Sequence, residues 1–306
     1  MTGGISVVIT TYNREEDCKR AVNSVLAQSA SLAVEIVIVD DGSGDVYDAD
    51  WFKEKGCNYL KIQNSGMCAA RNVGFNRASY TWVALLDDDD WWMPNHLKHL
   101  VNVIQEDDDD VVMVYTQVTD YFADGSQMDR SFKQPQPGQS DLDFIFDNGR
   151  MPSATCYRRS AVLAKPFEGN DRFSEDIWHS GRLLNGGRSI PVHECTVMYN
   201  QTSLGATRGS NKRTYLAAVA AYSSMRLDSD FHSVRDSVFK EKLAWWHYFG
   251  LRHVSKELDW KQWRRAVIGL LRYNSVPMRH PLRSFRRVAS NGKLIANALN
   301  KRHSSD

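Results

Sequence analysis

The chain has 306 residues, of which 42% are hydrophobic, enough for one large domain or two small ones with a buried core. Its five cysteines are scattered and never spaced as CxxC, which argues against a disulfide framework or a zinc site and indicates a reducing compartment. The net charge of +1 hides an asymmetry: residues 1–110 carry 9 basic and 19 acidic side chains, and residues 251–306 carry 13 basic and 3 acidic ones. We expect a metal or nucleotide site in the acidic front and an anionic surface contact in the basic tail.

The start of the chain and its hydropathy bear on its location. A strand-like segment begins at Ile5, without the basic and long apolar regions of a signal peptide. No apolar run approaches the roughly 20 residues that span a bilayer. We therefore expect a cytoplasmic protein, bound peripherally to the inner face of the membrane.

The first 120 residues alternate segments typical of buried strands with segments typical of amphipathic helices. Strands are predicted at ISVVIT (5–10), EIVIVDDGS (35–43), NYLKIQ (58–63), TWVALLD (81–87) and VVMVYTQVTDYF (111–122). Helices are predicted at REEDCKRAVNSVLAQ (14–28), GMCAARNVGFNRA (66–78) and PNHLKHLVNVIQ (94–105). Repeated strand–helix units with short links predict an α/β fold with a mostly parallel central sheet. Ligands of such sheets bind at the carboxyl ends of the strands.

The rest of the chain differs in pattern. KQPQPGQS (133–140) is a Pro/Gly/Gln loop, the best candidate for a seam between subdomains or a mobile segment. From about residue 211 onward the pattern is helical and rich in aromatic residues, as in KLAWWHYFGL. We expect a helical C-terminal extension there.

Two runs of four aspartates stand at opposite ends of predicted strands. Asp87 to Asp90 follow a strand and therefore lie at its carboxyl end, whereas Asp107 to Asp110 precede the next strand. Adjacent carboxylates repel one another and are stabilised by a divalent cation, and Mg²⁺ or Mn²⁺ prefers one or two carboxylates plus substrate phosphates. We predict a metal site in the first run and a solvated acidic turn in the second.

Further polar residues are predicted at the same rim of the sheet. Asp40 and Asp41 end the second predicted strand, and Arg71 lies on the helix that follows the third. The two acids are equally compatible with a turn that caps a helix. Arg71 is also compatible with a surface salt bridge of little energetic weight.

Four segments together resemble glycosyltransferase family 2, nucleotide-sugar-dependent enzymes of the GT-A fold. They are SVVITTYNRE, IVIVDDGSGD, NSGMCAARNVGFNRASYTWVALLDDDD and FSEDIWHSGRLL, in the order and at the approximate spacing of that family. The resemblance covers about residues 5–200. It implies a GT-A catalytic domain at 1–210, with a nucleotide-sugar half at about 1–120 and an acceptor half at about 121–210, followed by the basic helical extension at 211–306.

The resemblance also implies which residues bind the nucleotide sugar: Thr10, Tyr12, Asp41, Arg71, Asp87 and Asp88. In such enzymes the threonine and tyrosine after the first strand meet the base, and the second acid of VDDGS bonds the uracil ring. The arginine of the AARN segment approaches the base and ribose. The aspartate run binds the ribose and the metal–diphosphate, with Asp89 as the favoured ligand of Mn²⁺ or Mg²⁺.

Glu175 and Asp176 match the element that carries the general base in inverting members of the family, with Asp176 favoured. Displacement at an anomeric carbon needs a carboxylate that takes the proton of the acceptor hydroxyl and a cation that stabilises the leaving diphosphate. Base and metal acids should therefore lie far apart in sequence and converge in space. The alternative is an acidic first turn of a helix after Ser174, which is favourable to the helix dipole.

Other candidates are more ambiguous. His193, Arg208 or Lys212 could contact phosphate, or belong to an ordinary strand and loop. Trp91 and Trp92 could stack on an acceptor sugar, or simply bury the loop. The tail WKQWRRAVIGLLRYNSVPMRHPLRSFRRVASNGKL is basic and amphipathic, as in helices that contact membrane surfaces, which suits a lipid-linked acceptor. A helical cap on the catalytic domain and an oligomer interface remain alternatives, and nucleic acid ranks last because no such motif accompanies it.

We therefore predict a metal-dependent, inverting glycosyltransferase that moves a sugar from a UDP-linked donor to a glycan or lipid-linked glycan, in bacterial surface polysaccharide synthesis. One alternative is a Mg²⁺-dependent nucleotidyltransferase, which normally brings a Gly-rich basic loop near the first strand, where this chain has TTYNREE. Another is a catalytically inactive module that binds nucleotides or sugars.

Overall fold

The computed structural model describes residues 3–29, 31–44, 47–104, 110–130, 137–148, 151–168, 175–202, 211–232, 234, 236–254 and 257–273. The chain divides into two compact units. The first comprises Met1–Asn170 and Glu175–Gly205, and the second comprises Asp171–Ser174 and Ala206–Asp306. The boundary predicted at residue 210 lies outside the described residues, as does most of the Pro/Gly/Gln loop predicted at 133–140.

The described part of the first unit contains one sheet of nine strands. They are β1 (Gly4–Thr11), β2 (Ala33–Asp40), β3 (Asn58–Lys61), β4 (Trp82–Asp87), β5 (Trp91–Trp92), β6 (Val111–Tyr121), β7 (Gln127–Arg130), β8 (Thr155–Arg158) and β9 (Arg188–Asn200). The strand order is β3-β2-β1-β4-β8-β6-β9-β5, with β7 paired to β6. Six strands run in one direction, and β5, β7 and β8 run against them. The predicted α/β class with a mostly parallel sheet is therefore confirmed.

The helices of the first unit connect these strands. Within the described residues they are α1 (Glu15–Leu26), α2 (Ala49–Glu54), α3 (Met67–Arg77), α4 (His96–Ile104), α5 (Asp141–Asn148), α6 (Arg159–Ala164) and α7 (Glu175–Leu184). A short 3₁₀ turn, Pro152–Ala154, precedes β8. The main hydrophobic core is built from the apolar side chains of the central strands together with the inner faces of α1 and α4.

The parallel part of the sheet brings three strand ends together. β1 is buried along its whole length and pairs in parallel with both β2 and β4. In this register Thr11 lies beside Asp40, and Thr10 lies beside Asp87. Mostly apolar, β-branched-rich strands of this kind suit a sheet covered by helices on both faces. The carboxyl ends of β1, β2 and β4 form one edge, which we call the site rim.

Short elements are where the structure departs from the sequence predictions. Trp91 and Trp92 form a strand that pairs with Met198 and Val197 of β9, about a hundred residues away. The elements α2, α5, α6, β7 and β8 likewise have no counterpart among the predictions. Each has four to eight residues, too few for a hydrophobic period to be recognised.

Gly74 allows α3 to approach β1 closely. A Cβ atom at this position would clash with Cγ1 of Val8, a fully buried side chain. We expect Gly74→Ala to lower the free energy of unfolding by about 1–3 kcal/mol, because overpacking outweighs the better helix propensity of alanine. Urea denaturation measures this change. In a Val8→Ala background the same substitution should cost much less, and stabilisation by Gly74→Ala in the wild-type background would contradict the packing argument.

The second unit is helical in its described part. It contains α8 (Asn211–Met225), α9 (Asp236–His253) and α10 (Trp260–Tyr273), with a 3₁₀ turn at Ser229–Phe231. The helices enclose their own apolar cluster, formed by Tyr215, Leu251, Val254, Leu258, Trp263, Ala266 and Leu270. Among the described residues of the whole chain, none of the helices has both the length and the apolar character needed to cross a bilayer.

Candidate active site

Arg71 joins two acidic elements that are far apart in the sequence. Its side chain, on α3, is 1% exposed. Nη2 donates to Oδ1 of Asp87 at 2.8 Å, and Nη1 donates to Oε1 of Glu175 at 3.1 Å. Burial alone would lower the pKa of Arg71, but the charges of Asp87 and Glu175 outweigh that effect. The pKa is raised overall, and the guanidinium stays positive. The end of β4 and the start of α7 therefore belong to one charged cluster, and a surface salt bridge is not what Arg71 makes.

Glu175 and Asp176 open α7 but have different surroundings. Glu175 is 8% exposed; burial first, and then the charge of Asp176, raise its pKa, against the opposing effect of Arg71. Asp176 is only half-buried, and its Oδ1 accepts the backbone N–H of Ile177 at 2.8 Å. Of the two acids, Asp176 is thus the more accessible, and Glu175 is held by Arg71. Ser174 lies outside the described residues.

The first acidic run places each of its carboxylates in a different environment. Asp87 pairs with Arg71, as described above. Asp88 is fully buried and forms an ion pair with Arg14, 2.5 Å between Oδ1 and Nη2, and burial raises its pKa to about 7 although Arg14 opposes the shift. Asp89 accepts Nη1 of the same arginine at 2.8 Å, and its side chain is 14% exposed. Arg14 thus pairs with two neighbouring acids of the run, one of them fully buried.

Asp90, the last acid of the run, connects distant parts of the sheet. It is 1% exposed, and burial raises its pKa well above the ordinary value. One carboxylate oxygen accepts the hydroxyl of Ser153 at 2.5 Å, and the other accepts the backbone N–H of Asn200 at 2.9 Å. Its contacts fasten the loop after β4 to the end of β9 and to the turn before β8.

The second acidic run is described only at Asp110. This residue immediately precedes β6, and its carboxylate pairs with Arg188 at the start of β9. Because β4, β6 and β9 run in the same direction, Asp110 lies at the rim opposite Asp87, as predicted. Asp107 to Asp109 lie outside the described residues.

Sequence reasoning missed Arg14, the counter-ion of the buried acid Asp88. The available signal was the number of adjacent carboxylates, which requires a cation nearby. We expect Arg14→Met to lower the free energy of unfolding by about 1–3 kcal/mol, because a buried carboxylate loses its partner. The loss should be larger at pH 8 than at pH 5.5, since a raised folded-state pKa makes charged Asp88 destabilising above that pKa, and protonation removes the cost below it.

Thermal unfolding of this variant across pH measures the effect of the missing guanidinium. Arg77→Met, at an exposed position near the end of α3, is the matched control and should change stability little at either pH. A loss in Arg14→Met that does not depend on pH would contradict the ion-pair explanation.

The residues expected to meet the nucleobase occupy the same rim. Thr10 is 9% exposed within β1, and Tyr12, just beyond this strand, is 48% exposed. Asp41 is 6% exposed, and its two oxygens accept the backbone N–H groups of Ser65 and Gly66 at 2.7 and 2.9 Å, just before α3 begins. Asp41 therefore holds the backbone of the turn that leads into α3. The contacts of these three residues and of Arg71 with a nucleotide stay predictions.

The remaining candidates are separated by their burial and position. Trp92 is 3% exposed, and its indole N–H donates to the carbonyl of Ser153 at 2.7 Å, so this side chain buries the loop. Trp91 is half-buried, with the guanidinium of Arg20 4.7 Å from its ring centroid. His193 is exposed on β9, seven residues and roughly 23 Å of strand before its end. The contact of His193 with a phosphate stays a prediction.

Lys212 and Arg208 complete the set of proposed phosphate contacts. Lys212 lies on α8 in the second unit, where its Nζ donates to the carbonyl of Glu257 at 2.6 Å. Arg208 lies outside the described residues.

The acids of the first run fit a divalent cation that takes only one or two of its ligands from the protein. Within the residues that the structure describes, no group of three or more His, Cys, Asp or Glu could hold a metal ion. Mg²⁺ in phosphate-transfer and related sites commonly uses only one or two carboxylates and takes other ligands from substrate phosphates and water. Asp89, partly exposed and adjacent to Asp88, suits that kind of cation. A complete cage of protein ligands is not what these residues offer.

Comparison with known proteins supplies the family. The model of the family described as glycosyl transferase family 2 matches residues 6–163, just over half of the chain and most of the first unit. The matched residues include the ends of β1, β2 and β4 and Arg71 on α3. The chain therefore belongs to glycosyl transferase family 2.

Curated relatives come from several bacteria. The chain is 36% identical over 191 residues to an uncharacterized glycosyltransferase of Nostoc, which covers 59% of this chain and 58% of the relative. It is 26% identical over 237 residues to the putative glycosyltransferase EpsH of Bacillus subtilis, covering 72% of this chain and 67% of that protein. The chain thus spans somewhat more than half of the Nostoc protein and two thirds of the Bacillus one.

Solved structures with the same fold contain nucleotide sugars. Staphylococcus aureus TarS 1–349 in complex with UDP-GlcNAc matches with a TM-score of 0.66 and 19% identity, covering 89% of this chain and 81% of that one. The mannosyltransferase PcManGT of Pyrobaculum calidifontis, in complex with GDP-Man and Mn²⁺, matches with a TM-score of 0.57 and 14% identity, covering 95% and 79%. At this level of identity the likeness concerns the fold, and it confirms the GT-A architecture.

Proposed function

We propose that this protein transfers a sugar from a UDP-linked donor to a hydroxyl group of a glycan or lipid-linked glycan, with inversion at the anomeric carbon. The observation that carries the proposal is the position of Arg71. This buried arginine bonds Asp87, at the end of a donor-side strand, and Glu175, next to the expected base. Two acidic elements 88 residues apart in sequence thereby meet, as direct displacement at a sugar carbon requires.

The chain's own residues suggest how the work is divided. Asp176, half-buried at the start of α7, would accept the proton of the acceptor hydroxyl. Glu175, fixed by Arg71, would hold the first turn of α7 in place. Tyr12, the most exposed of the predicted nucleotide contacts, would offer its ring to the base. A Mn²⁺ or Mg²⁺ ion at Asp89, with Asp88 beside it, would supply the positive charge that stabilises the leaving diphosphate.

The preference for a UDP-linked donor has two supports. The VDDGS segment with Asp41 resembles the uracil-binding element of the family, and TarS, which has the same fold, binds UDP-GlcNAc and UDP. PcManGT, which also shares the fold, binds GDP-Man. A guanine nucleotide is therefore the main competitor in any test.

The proposed setting is bacterial surface polysaccharide synthesis, since the curated relatives quoted above come from bacteria. The two rival functions make different chemical predictions. A nucleotidyltransferase would release pyrophosphate from a nucleoside triphosphate and a sugar phosphate. An inactive module would bind a nucleotide sugar and release nothing.

A panel of UDP-, GDP- and dTDP-sugars tests the proposal. Thermal shift should show the largest stabilisation with UDP-sugars in the presence of Mn²⁺, and slow hydrolysis should release UDP. A parallel assay with nucleoside triphosphates and sugar phosphates tests the nucleotidyltransferase, which pyrophosphate release would establish instead. Stabilisation by nucleotide sugars without hydrolysis or transfer, across a series of glycan and lipid-linked acceptors, would establish the binding module.

A further inference from the structure

Helix α10 presents a wide face that mixes cations with large apolar side chains. Seven of its residues are exposed: Trp260, Lys261, Arg264, Arg265, Ile268, Leu271 and Arg272. At 3.6 residues per turn these seven positions fall within a sector of roughly 140°. The three apolar members are 58%, 49% and 60% exposed. They share this face with all four of the helix's basic residues.

The opposite face of α10 fixes the helix in place. Trp263, Ala266 and Leu270 are buried in the apolar cluster of the second unit. Gly269 lies where a Cβ atom would meet the ring of His247 on α9, so the two helices are in close contact. At the start of α10, Oδ1 of Asp259 accepts the backbone N–H of Gln262 at 2.8 Å, which caps the helix. The exposed face is therefore presented by a helix already folded against its own core.

The charge of this face has one sign. Residues 260–273 contain four basic side chains and no acidic one. The following residues, 274–306, add seven basic side chains and one acidic one, although their structure lies outside the described part. A partner of the exposed face of α10 must therefore be negatively charged, and it must also offer apolar contacts to Trp260, Ile268 and Leu271.

We propose that the exposed face of α10 binds the surface of an anionic lipid bilayer, with the helix lying in the plane of the interface. Such helices combine an apolar strip that enters the headgroup region with basic residues that approach acidic lipids. The face also supports the cytoplasmic, peripherally bound location expected from the sequence, because the cytoplasmic leaflet is the negatively charged one. The proposal goes beyond sugar transfer and would bring the protein to a surface where lipid-linked acceptors lie.

Two other occupants fit the same face less well. A second copy of the chain, related by a two-fold axis, would bring the four cations of one helix against those of the other. A nucleic acid would be attracted by the cations but would leave the exposed isoleucine and leucine without an apolar partner. A bilayer surface satisfies both kinds of side chain.

Flotation of the full chain with vesicles, in the absence of any donor, tests the proposal independently of the enzymatic function. Wild type should bind vesicles that contain both phosphatidylcholine and phosphatidylglycerol, and it should bind vesicles of phosphatidylcholine alone far less. Arg264→Gln combined with Arg265→Gln should lower the partition coefficient about 25-fold, since each basic residue near the surface contributes about fivefold. Added salt should weaken binding of the wild type.

The matched control removes the same charge from exposed positions of the first unit, as Arg77→Gln with Lys98→Gln. These residues lie on α3 and α4, so binding should change little. Circular dichroism of each variant confirms that the helices are intact. Equal losses in both double variants would show a general effect of net charge and would overturn the proposal, as would equal binding to neutral vesicles or none at all.

The apolar side chains give a second and separate test. Ile268→Gln with Leu271→Gln should reduce binding by roughly tenfold, and the reduction should persist at high salt. Leu26→Gln with Met128→Gln, at exposed apolar positions of the first unit, is the control. Vesicle binding that is unchanged in the Ile268→Gln, Leu271→Gln variant would overturn the insertion of this face into the bilayer. If the wild type does not bind vesicles but dimerises with rising concentration, and the α10 variants do not dimerise, the partner of this face is a second copy of the chain.

Discussion

Asp89→Ala should abolish sugar transfer and leave the protein folded. The side chain lies on the site rim, is partly exposed and contacts Arg14, so its removal leaves no cavity in the core. Its proposed task is to hold the cation that stabilises the departing diphosphate, and it is more exposed than Asp88 and Asp90, its neighbours in the run. Asp88 is buried with Arg14, and Asp90 holds Ser153.

A binding measurement separates the metal from the chemistry. A ligand that binds only the folded state stabilises it by about 2.7 kcal/mol at a concentration a hundred times its Kd. UDP should therefore raise the Tm of wild type more with Mn²⁺ than with EDTA, and Asp89→Ala should lose that difference. Equal stabilisation of the wild type under both conditions would contradict the metal role.

Asp110→Asn is the matched control for a lost carboxylate. Asp110 is exposed, pairs with Arg188 and lies at the opposite rim of the sheet. Its substitution should leave turnover within a few-fold of wild type, because an exposed ion pair contributes little. A loss comparable to that of Asp89→Ala would show that the position of an acid along the strand does not determine its role.

The strand pattern was enough to predict the rim, because the central strands are locally determined. β1, β2 and β4 are apolar runs that end in polar residues, and β1 and β2 are rich in β-branched residues. Parallel pairing then places Thr11 beside Asp40 and Thr10 beside Asp87. The second half of the sheet was not predictable in the same way. β5 has two residues and forms only by pairing with β9. No local pattern indicates that pairing.

Within the site, sequence reasoning could list the acids but could not assign their environments. Four aspartates stand in a row from the last residue of β4 onward, yet one pairs with Arg71, two share Arg14 and one fastens the loop to Ser153 and Asn200. Their differences arise from tertiary burial and from partners up to 110 residues away. The same is true of Arg71, whose neighbours on β4 and α7 are unrelated in local sequence.

The pair Glu175 and Asp176 offers the sharpest test of the proposed mechanism. Asp176→Asn keeps the size of the side chain and the oxygen that accepts the N–H of Ile177, but it removes the proton acceptor. Transfer should fall by about 10²–10⁴, the usual contribution of a general base, while UDP-sugar binding persists. The loss of one charge from the first turn of α7 should cost only about 0.3–1 kcal/mol of stability.

Glu175→Gln should behave in the opposite way. Arg71, a fully buried guanidinium, then loses one of the two carboxylates with which it pairs and keeps Asp87. Stability should therefore fall more than in Asp176→Asn. Transfer should fall less, since Glu175 positions α7 and does not take the proton. Steady-state kinetics and thermal unfolding of both variants therefore give a crossed result: one loses rate and keeps stability, and the other does the reverse. If Glu175→Gln loses the rate and Asp176→Asn keeps it, the base is Glu175; if neither variant loses rate, base-assisted inversion is the wrong mechanism for this chain.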